Sequence, residues 1–257
     1  MALSVNTNVY SLAAQKNLSR TQSSLETSIQ RLSSGLRINR AKDDAAGLAI
    51  AQLQNAQARG LTVAQRNIAD GASFLSVADS TLQSVSEMMQ RQRELAVQAG
   101  SGLYTAGQIT LMSQEFDALT TEITDSLGRA TFNGAAVFGG GGTIQVGANT
   151  GDDIDISVAA AAARTAVITD TATIDADLDA VASQLADIGA LESRLEQAGR
   201  VAASMEEAQY SAAGRIMDAD FARETAKMTS AQVVQQAGVA ALAQANSIPQ
   251  LALSLLQ

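Results

Sequence analysis

The chain has 257 residues, with 17 Lys and Arg against 26 Asp and Glu, a net charge of −9, one proline, and no Cys, His or Trp. Without Cys or His it lacks the side chains for a structural zinc site, a thiol nucleophile, a thioredoxin-type pair or a His-based triad. The acid surplus argues against nucleic-acid binding driven by phosphate neutralisation.

The opening residues, Met1 to Asn8, show neither the basic start nor the apolar run of a secretory signal. No stretch reaches the roughly 18 apolar residues of a membrane span, so none is expected. Leu18, Leu25 and Leu32 then recur every seven residues, with Ile29 and Leu36 four residues after the last two, which draws one apolar seam along a helix. Ser33-Ser34-Gly35 reads as its end, with glycine available for a left-handed cap. Residues 35–43 read as a short basic connector, and Asp43-Asp44 as a helix start where carboxylates meet free N–H groups. Ile68, Leu75, Leu82, Val85 and Met89 mark a second helix. After a turn at Gly100-Ser101-Gly102, Ile109, Met112, Phe116, Leu119 and Ile123 mark a third.

The middle differs. Four glycines, Gly139 to Gly142, precede period-two alternation at Ile144 and Val146, a turn-rich stretch at 147–153, and further alternation at Ile154, Ile156 and Val158. That pattern predicts a β-hairpin. Helical spacing resumes at Ile174 and continues through Leu178, Val181, Leu185, Ile188, Leu195 and Ala202. Asp218-Ala219-Asp220 reads as another helix start, followed by Val234, Ala241, Ile248 and Leu255 at every seventh position. The expected fold class is mainly α, with long helices and a small β-hairpin region in the middle of the chain.

The ends carry the functional signal. No residue after Lys227 is charged, and the first charged residue is Lys16. A thirty-residue uncharged helix dotted with Gln235, Gln236, Gln244, Asn246 and Gln250 suits neither water nor lipid. It would be marginal alone and, at ~1.5 Å per residue, would run about 45 Å. Such a helix is expected to pack against the chain's own N-terminal segment and against neighbouring copies. Other chemistry finds no support. Gly139–Gly142 is followed by no phosphate-loop lysine. Asp152, Asp153 and Asp155 lack the EF-hand pattern, and helix capping accounts for Lys42-Asp43-Asp44. No catalytic, cofactor-binding or metal-binding residue is assigned, and no enzyme or cofactor is expected.

The stretch from Arg31 to Ile50, RLSSGLRINRAKDDAAGLAI, closely resembles the signature of bacterial flagellins. Val5-Asn6-Thr7-Asn8, the segment from Gln90 to Gln98, Phe132-Asn133-Gly134, Asp218 to Ala222, Gln236-Ala237-Gly238, Ala243 to Asn246 and Pro249-Gln250 match in the same order. The resemblance implies a structural subunit that self-assembles into the flagellar filament for swimming motility; the alternative is a flagellin-like hook-filament junction, adhesin or other binding protein. It implies long antiparallel coiled-coil helices with the N- and C-termini paired. Residues 1–43 with 221–257 would form the inner-tube coiled coil and connector, 44–138 with 173–220 the outer-tube helical domain, and 139–172 a short exposed hairpin region. Inner-tube packing would fall to Leu18, Leu25, Ile29, Leu32, Val234, Ala241, Ile248 and Leu255. Subunit contacts of the connector would fall to Arg37, Asn39, Arg40, Lys42, Asp43 and Asp44. A surface used along the protofilament, or by a Toll-like receptor, would include Arg91, Leu95 and Glu115. The implied partners are the chain itself, an export chaperone, a filament cap and hook-filament junction proteins. The implied location is extracellular, in the bacterial flagellum, reached without a cleaved signal peptide. The short segment from Gly139 to Thr173 implies a thin-walled filament without projecting domains.

Overall fold

The computed structural model describes residues 7–160 and 167–254, with side chains described as far as Ser247 in the last helix. Helices dominate because almost nothing in the sequence interrupts them: the single proline stands at 249. In chain order the described residues form α1 (Val9–Ser34), α2 (Ala45–Ala99), α3 (Ala106–Arg129), α4 (Thr171–Met217) and α5 (Phe221–Ser254). Two small antiparallel sheets lie between α3 and α4. The first pairs β1 (Thr131–Phe132) with β2 (Ala135–Ala136), and the second pairs β3 (Thr143–Gln145) with β4 (Asp153–Asp155). The chain divides into two compact units, residues 1–55 with 210–257 and residues 56–209.

Side chains set the helix boundaries. The Asn8 side chain accepts a hydrogen bond from the Ser11 amide at 3.1 Å and starts α1. Gly35 ends it at φ 72°, in the left-handed region where glycine carries no Cβ penalty, and its N–H donates to the Arg31 carbonyl. Only one of the two adjacent aspartates begins α2. Asp44 accepts from the Gly47 amide at 2.8 Å, whereas Asp43 turns back and accepts from the amides of Asn39 and Arg40, closing the connector on itself. Thr105 and Gln108 form a reciprocal capping box on α3. Asp170 accepts from the Thr173 amide ahead of α4, and Asp220 from the Arg223 amide ahead of α5.

In the unit 56–209 the core follows the heptads. Leu61, Ile68, Leu75, Leu82 and Met89 of α2 are buried, as are Ile174, Val181, Ile188, Leu195 and Ala202 of α4. The α4 seam thus lies where the apolar spacing placed it. The β3–β4 hairpin adds Ile154 and, just beyond, Ile156 and Val158 to the same cluster. Its register, Ile144 opposite Ile154, turns these side chains onto the helices. A second cluster gathers Leu95, Ala96, Ala99, Phe116, Ile168 and Ile174. The β1–β2 hairpin was not expected. Its two-residue turn, Asn133 at φ 50° and Gly134 at φ 79°, is the Asn-Gly type I′ turn that suits right-twisted strands. Phe132 beside it meets Phe74 edge-on, with ring centroids 6.0 Å apart at 89°.

In the unit 1–55 with 210–257, α1 and α5 run antiparallel in close contact. Many surface hydroxyls on the helices of both units are turned inward on their own backbone. Thr21, Thr27, Thr62, Thr110, Thr121, Thr225 and Thr229 each donate to the carbonyl four residues before.

Candidate assembly surfaces

The α1–α5 seam sets Leu18, Leu25 and Leu32 of α1, each half-buried, against small residues of α5, with polar groups toward its ends. Ser11, Ser28, Glu224, Ala231 and Ala245 are buried in this unit, and Gly238 lies under Leu18, whose Cδ1 would stand 3.4 Å from a Cβ added at the glycine. Polar contacts fasten the seam near both ends. The Asn8 side-chain amide donates to the Ala245 carbonyl at 2.8 Å. Toward the other end the Glu224 carboxylate accepts from Ser28 at 3.1 Å, Arg31 at 3.2 Å and Lys227 at 3.1 Å. Burial pushes the Glu224 carboxyl up, but the bonds from Lys227, Ser28 and Arg31 outweigh it and hold the group below its ordinary range.

Larger apolar side chains of the same helices face outward. Val9, Tyr10, Leu12 and Ile29 of α1 are exposed, as are Phe221, Val233, Val234 and Val239 of α5. Of the residues expected to pack, Leu18, Leu25 and Leu32 are half-buried, whereas Ile29, Val234 and Ala241 are exposed within the single chain. The Ile248 side chain and Leu255 lie outside the described residues.

The connector is folded against its own unit. Arg37 donates through its amide to the Met217 carbonyl and through its guanidinium to the Ile216 carbonyl at 2.6 Å. Leu36 bridges Asp218. The Arg40 amide holds the Asp43 carboxyl below the usual range; desolvation works against it, and the Asn39 amide adds to the lowering. Asn39, Arg40 and Lys42 are exposed. Asp152 and Asp155 serve their own turns, accepting from the amides of Asn149 and Ser157. Among the described residues no group of three potential ligands is placed to hold a metal ion. No described helix is long and apolar enough to cross a membrane.

Residues 5–143 match the family model of the bacterial flagellin N-terminal helical region, and residues 171–256 match that of the bacterial flagellin C-terminal helical region. The chain belongs to the bacterial flagellin family. Flagellin from Salmonella muenchen is 44% identical over 167 residues, a match covering 64% of this chain and 33% of that protein. The chain therefore spans about a third of the length of the Salmonella relatives it matches. The flagellar filament 33 kDa core protein of Treponema phagedenis is 34% identical over 284 residues, covering 98% of this chain and 99% of that one. This flagellin is of the short form. A crystal structure of Bacillus cereus flagellin has 25% identity and a TM-score of 0.48, covering 53% of this chain and 88% of that one.

On this flagellin, Arg91 of α2 pairs with Glu115 of α3 at 2.9 Å and with Glu94 at 3.0 Å, all three on the surface. Leu95 is not part of that surface. At 2% exposure it belongs to the second core cluster with Phe116. Gln92, also buried, ties α2 to α3 by donating to the Phe116 carbonyl and the Thr120 hydroxyl. The Glu224 cluster escapes a sequence reading because Glu224 lies 193 or more positions from both Ser28 and Arg31 and no local pattern links them.

Proposed function

We propose that this flagellin is a structural subunit that self-assembles into a helical filament, outside the cell, as part of a swimming organelle. The outward apolar residues of the terminal pair carry the reading: Val9, Leu12, Val233, Val234 and Val239 stay in water on helices that within the chain are joined by other residues, leucines of α1 against alanine and glycine of α5. A second copy is the covering with matching chemistry, because surfaces that fit each other but not themselves give open helical polymers. Family membership and the near full-length likeness to a filament core protein support it.

In this arrangement residues 1–43 with 221–257 line the inner tube, 44–138 with 173–220 form the outer tube, and 139–172 stay at the surface. Leu18, Leu25 and Leu32 pack within the chain, and Ile29, Val234 and Ala241 against neighbours. Arg37, Asp43 and Asp44 hold the connector in shape, while Asn39, Arg40 and Lys42 are left to meet other subunits. Arg91 and Glu115 serve contacts along the protofilament and are the place a Toll-like receptor would meet. An export chaperone, a cap and junction proteins complete the expected partners. The test is seeded growth of the purified chain, followed by light scattering, sedimentation and electron microscopy. Long single filaments support the reading. Persistent monomers that bind a hook component or a glycan would replace it with a junction or adhesive role.

A further inference from the structure

Two every-seventh-residue runs meet along the α1–α5 pair. Ser11, Leu18, Leu25 and Leu32 supply one, and Glu224, Ala231, Gly238 and Ala245 the other. Apart from their ends these runs are nearly uniform, leucine on one side and alanine or glycine on the other. Sliding α5 by one heptad, roughly 10 Å at 1.5 Å per residue, therefore restores almost the same apolar packing. One slide sets Gly238 against Leu25 and carries Glu224 past the end of α1. The opposite slide sets Gly238 against Ser11 and leaves Glu224 level with Thr21 and Ser24. In both, the carboxylate loses Arg31.

We propose that Glu224 is the residue that selects the register of the terminal helix pair. It is the only buried charged residue among those described, and three donors converge on it, two from α1 and one from α5. Lys227 travels with the carboxylate and a hydroxyl can take the place of Ser28, but no slide replaces Arg31, and a buried charge that loses its cation across the seam is disfavoured far more than the loss of a methyl contact. A polar group that is better satisfied in one alignment than in its neighbours is a known means of fixing a helix pair. The connector adds backbone bonds, Arg37 to Met217 and Ala219 to Gly35. Of these residues Arg37 is exposed and Gly35, Met217 and Ala219 only half-buried, so water takes the place of a lost partner more readily than at Glu224 and these bonds discriminate less. The assignment concerns pairing within one chain and stands or falls separately from filament growth.

The full chain contains no cysteine, so an introduced pair reports register without interference. Leu18→Cys with Gly238→Cys reads the native alignment; Leu25→Cys or Ser11→Cys with Gly238→Cys reads the two slips. With Glu224 present, oxidation or a short thiol crosslinker is expected to join only the first pair, at least tenfold faster than the others. With Glu224→Leu, helix content by circular dichroism is expected to persist while all three pairs react within about threefold of one another. With Glu224→Gln, which still accepts from Ser28 and Arg31, the native pair is expected to dominate. Native-only crosslinking in Glu224→Leu would overturn the proposal by giving register to the seam or connector. Loss of all crosslinks together with helicity would also overturn it, by making Glu224 a support of pairing rather than its selector. Sedimentation of the same variants reports filament growth independently.

Discussion

The Cδ1 of Ile144 occupies the space that a side chain on Gly71 would need: a Cβ there would stand 2.0 Å from it. The glycine in the middle of α2 is what lets the β3–β4 hairpin lie down on the helix. Gly71→Ala is expected to destabilise the unit by about 1–3 kcal/mol, the usual range for overpacking. Ile144→Val, which removes the offending methyl, should recover most of that loss in the double variant. Thermal melts of the four combinations check it, and additive effects would show that the two residues do not clash.

Leu82 is fully buried between core heptads, while Leu103 in the α2–α3 turn is 91% exposed. Leu82→Ala should cost about 2–5 kcal/mol through lost burial and the cavity left behind. Leu103→Ala should stay within about 0.5 kcal/mol in the unassembled chain. Urea denaturation of the two variants separates core from surface on one scale.

Asp170 begins α4, accepting from the Thr173 amide and hydroxyl, and these bonds, the hydroxyl first, hold its carboxyl below the ordinary range against slight desolvation. Asp170→Ala is expected to destabilise by about 0.5–2 kcal/mol, as for other N-cap deletions, and Asp170→Asn by much less. Amide exchange over the first turn of α4 reads the effect locally.

Glu224 sets a pH dependence whose sign follows from its environment. The groups facing it are Ser28 and Arg31 from α1 and Lys227 from α5. Its folded-state pKa is depressed, so its contribution is fully present above the unfolded value of about 4.3 and disappears as pH falls through the folded value. The difference in Tm between the parent and Glu224→Gln should be constant from pH 8 to about 5 and shrink below that. A difference that grows on acidification would contradict the assignment.

Val233 projects from α5 on the side away from Ala231 and is 60% exposed. In the free chain Val233→Glu should leave circular dichroism unchanged, since isolated surface changes are small. In a polymer it would place a charge in a covered interface, and seeded growth should fall at least tenfold. Normal filaments from this variant would move the subunit interface elsewhere.

The seams of α2 and α4 were legible because their large residues are the buried ones: the every-seventh run from Ile174 to Ala202 is also the list of positions sealed in the core. The β3–β4 hairpin was legible by alternation. β1 and β2 were not, at two residues each, although Asn133-Gly134 is a turn signal in its own right. In α5 size and burial are inverted. Ala231, Gly238 and Ala245 face inward while Val233, Val234 and Val239 face out, so a reading that starts from the larger Val234 and steps by seven arrives at Ala241 and misses the inward run. The likeness to known flagellins placed Arg91 and Glu115 together, yet only the fold shows that Leu95 is buried in the core.

The threonines that return their protons to the carbonyl one turn back change what it means for the terminal helices to be polar. Their donors are occupied before any neighbour arrives, so little hydration is stripped when such a face is covered. Beyond Lys227 there is no charge to screen, and that part of the molecule should adhere to its surroundings with an ionic-strength response close to flat.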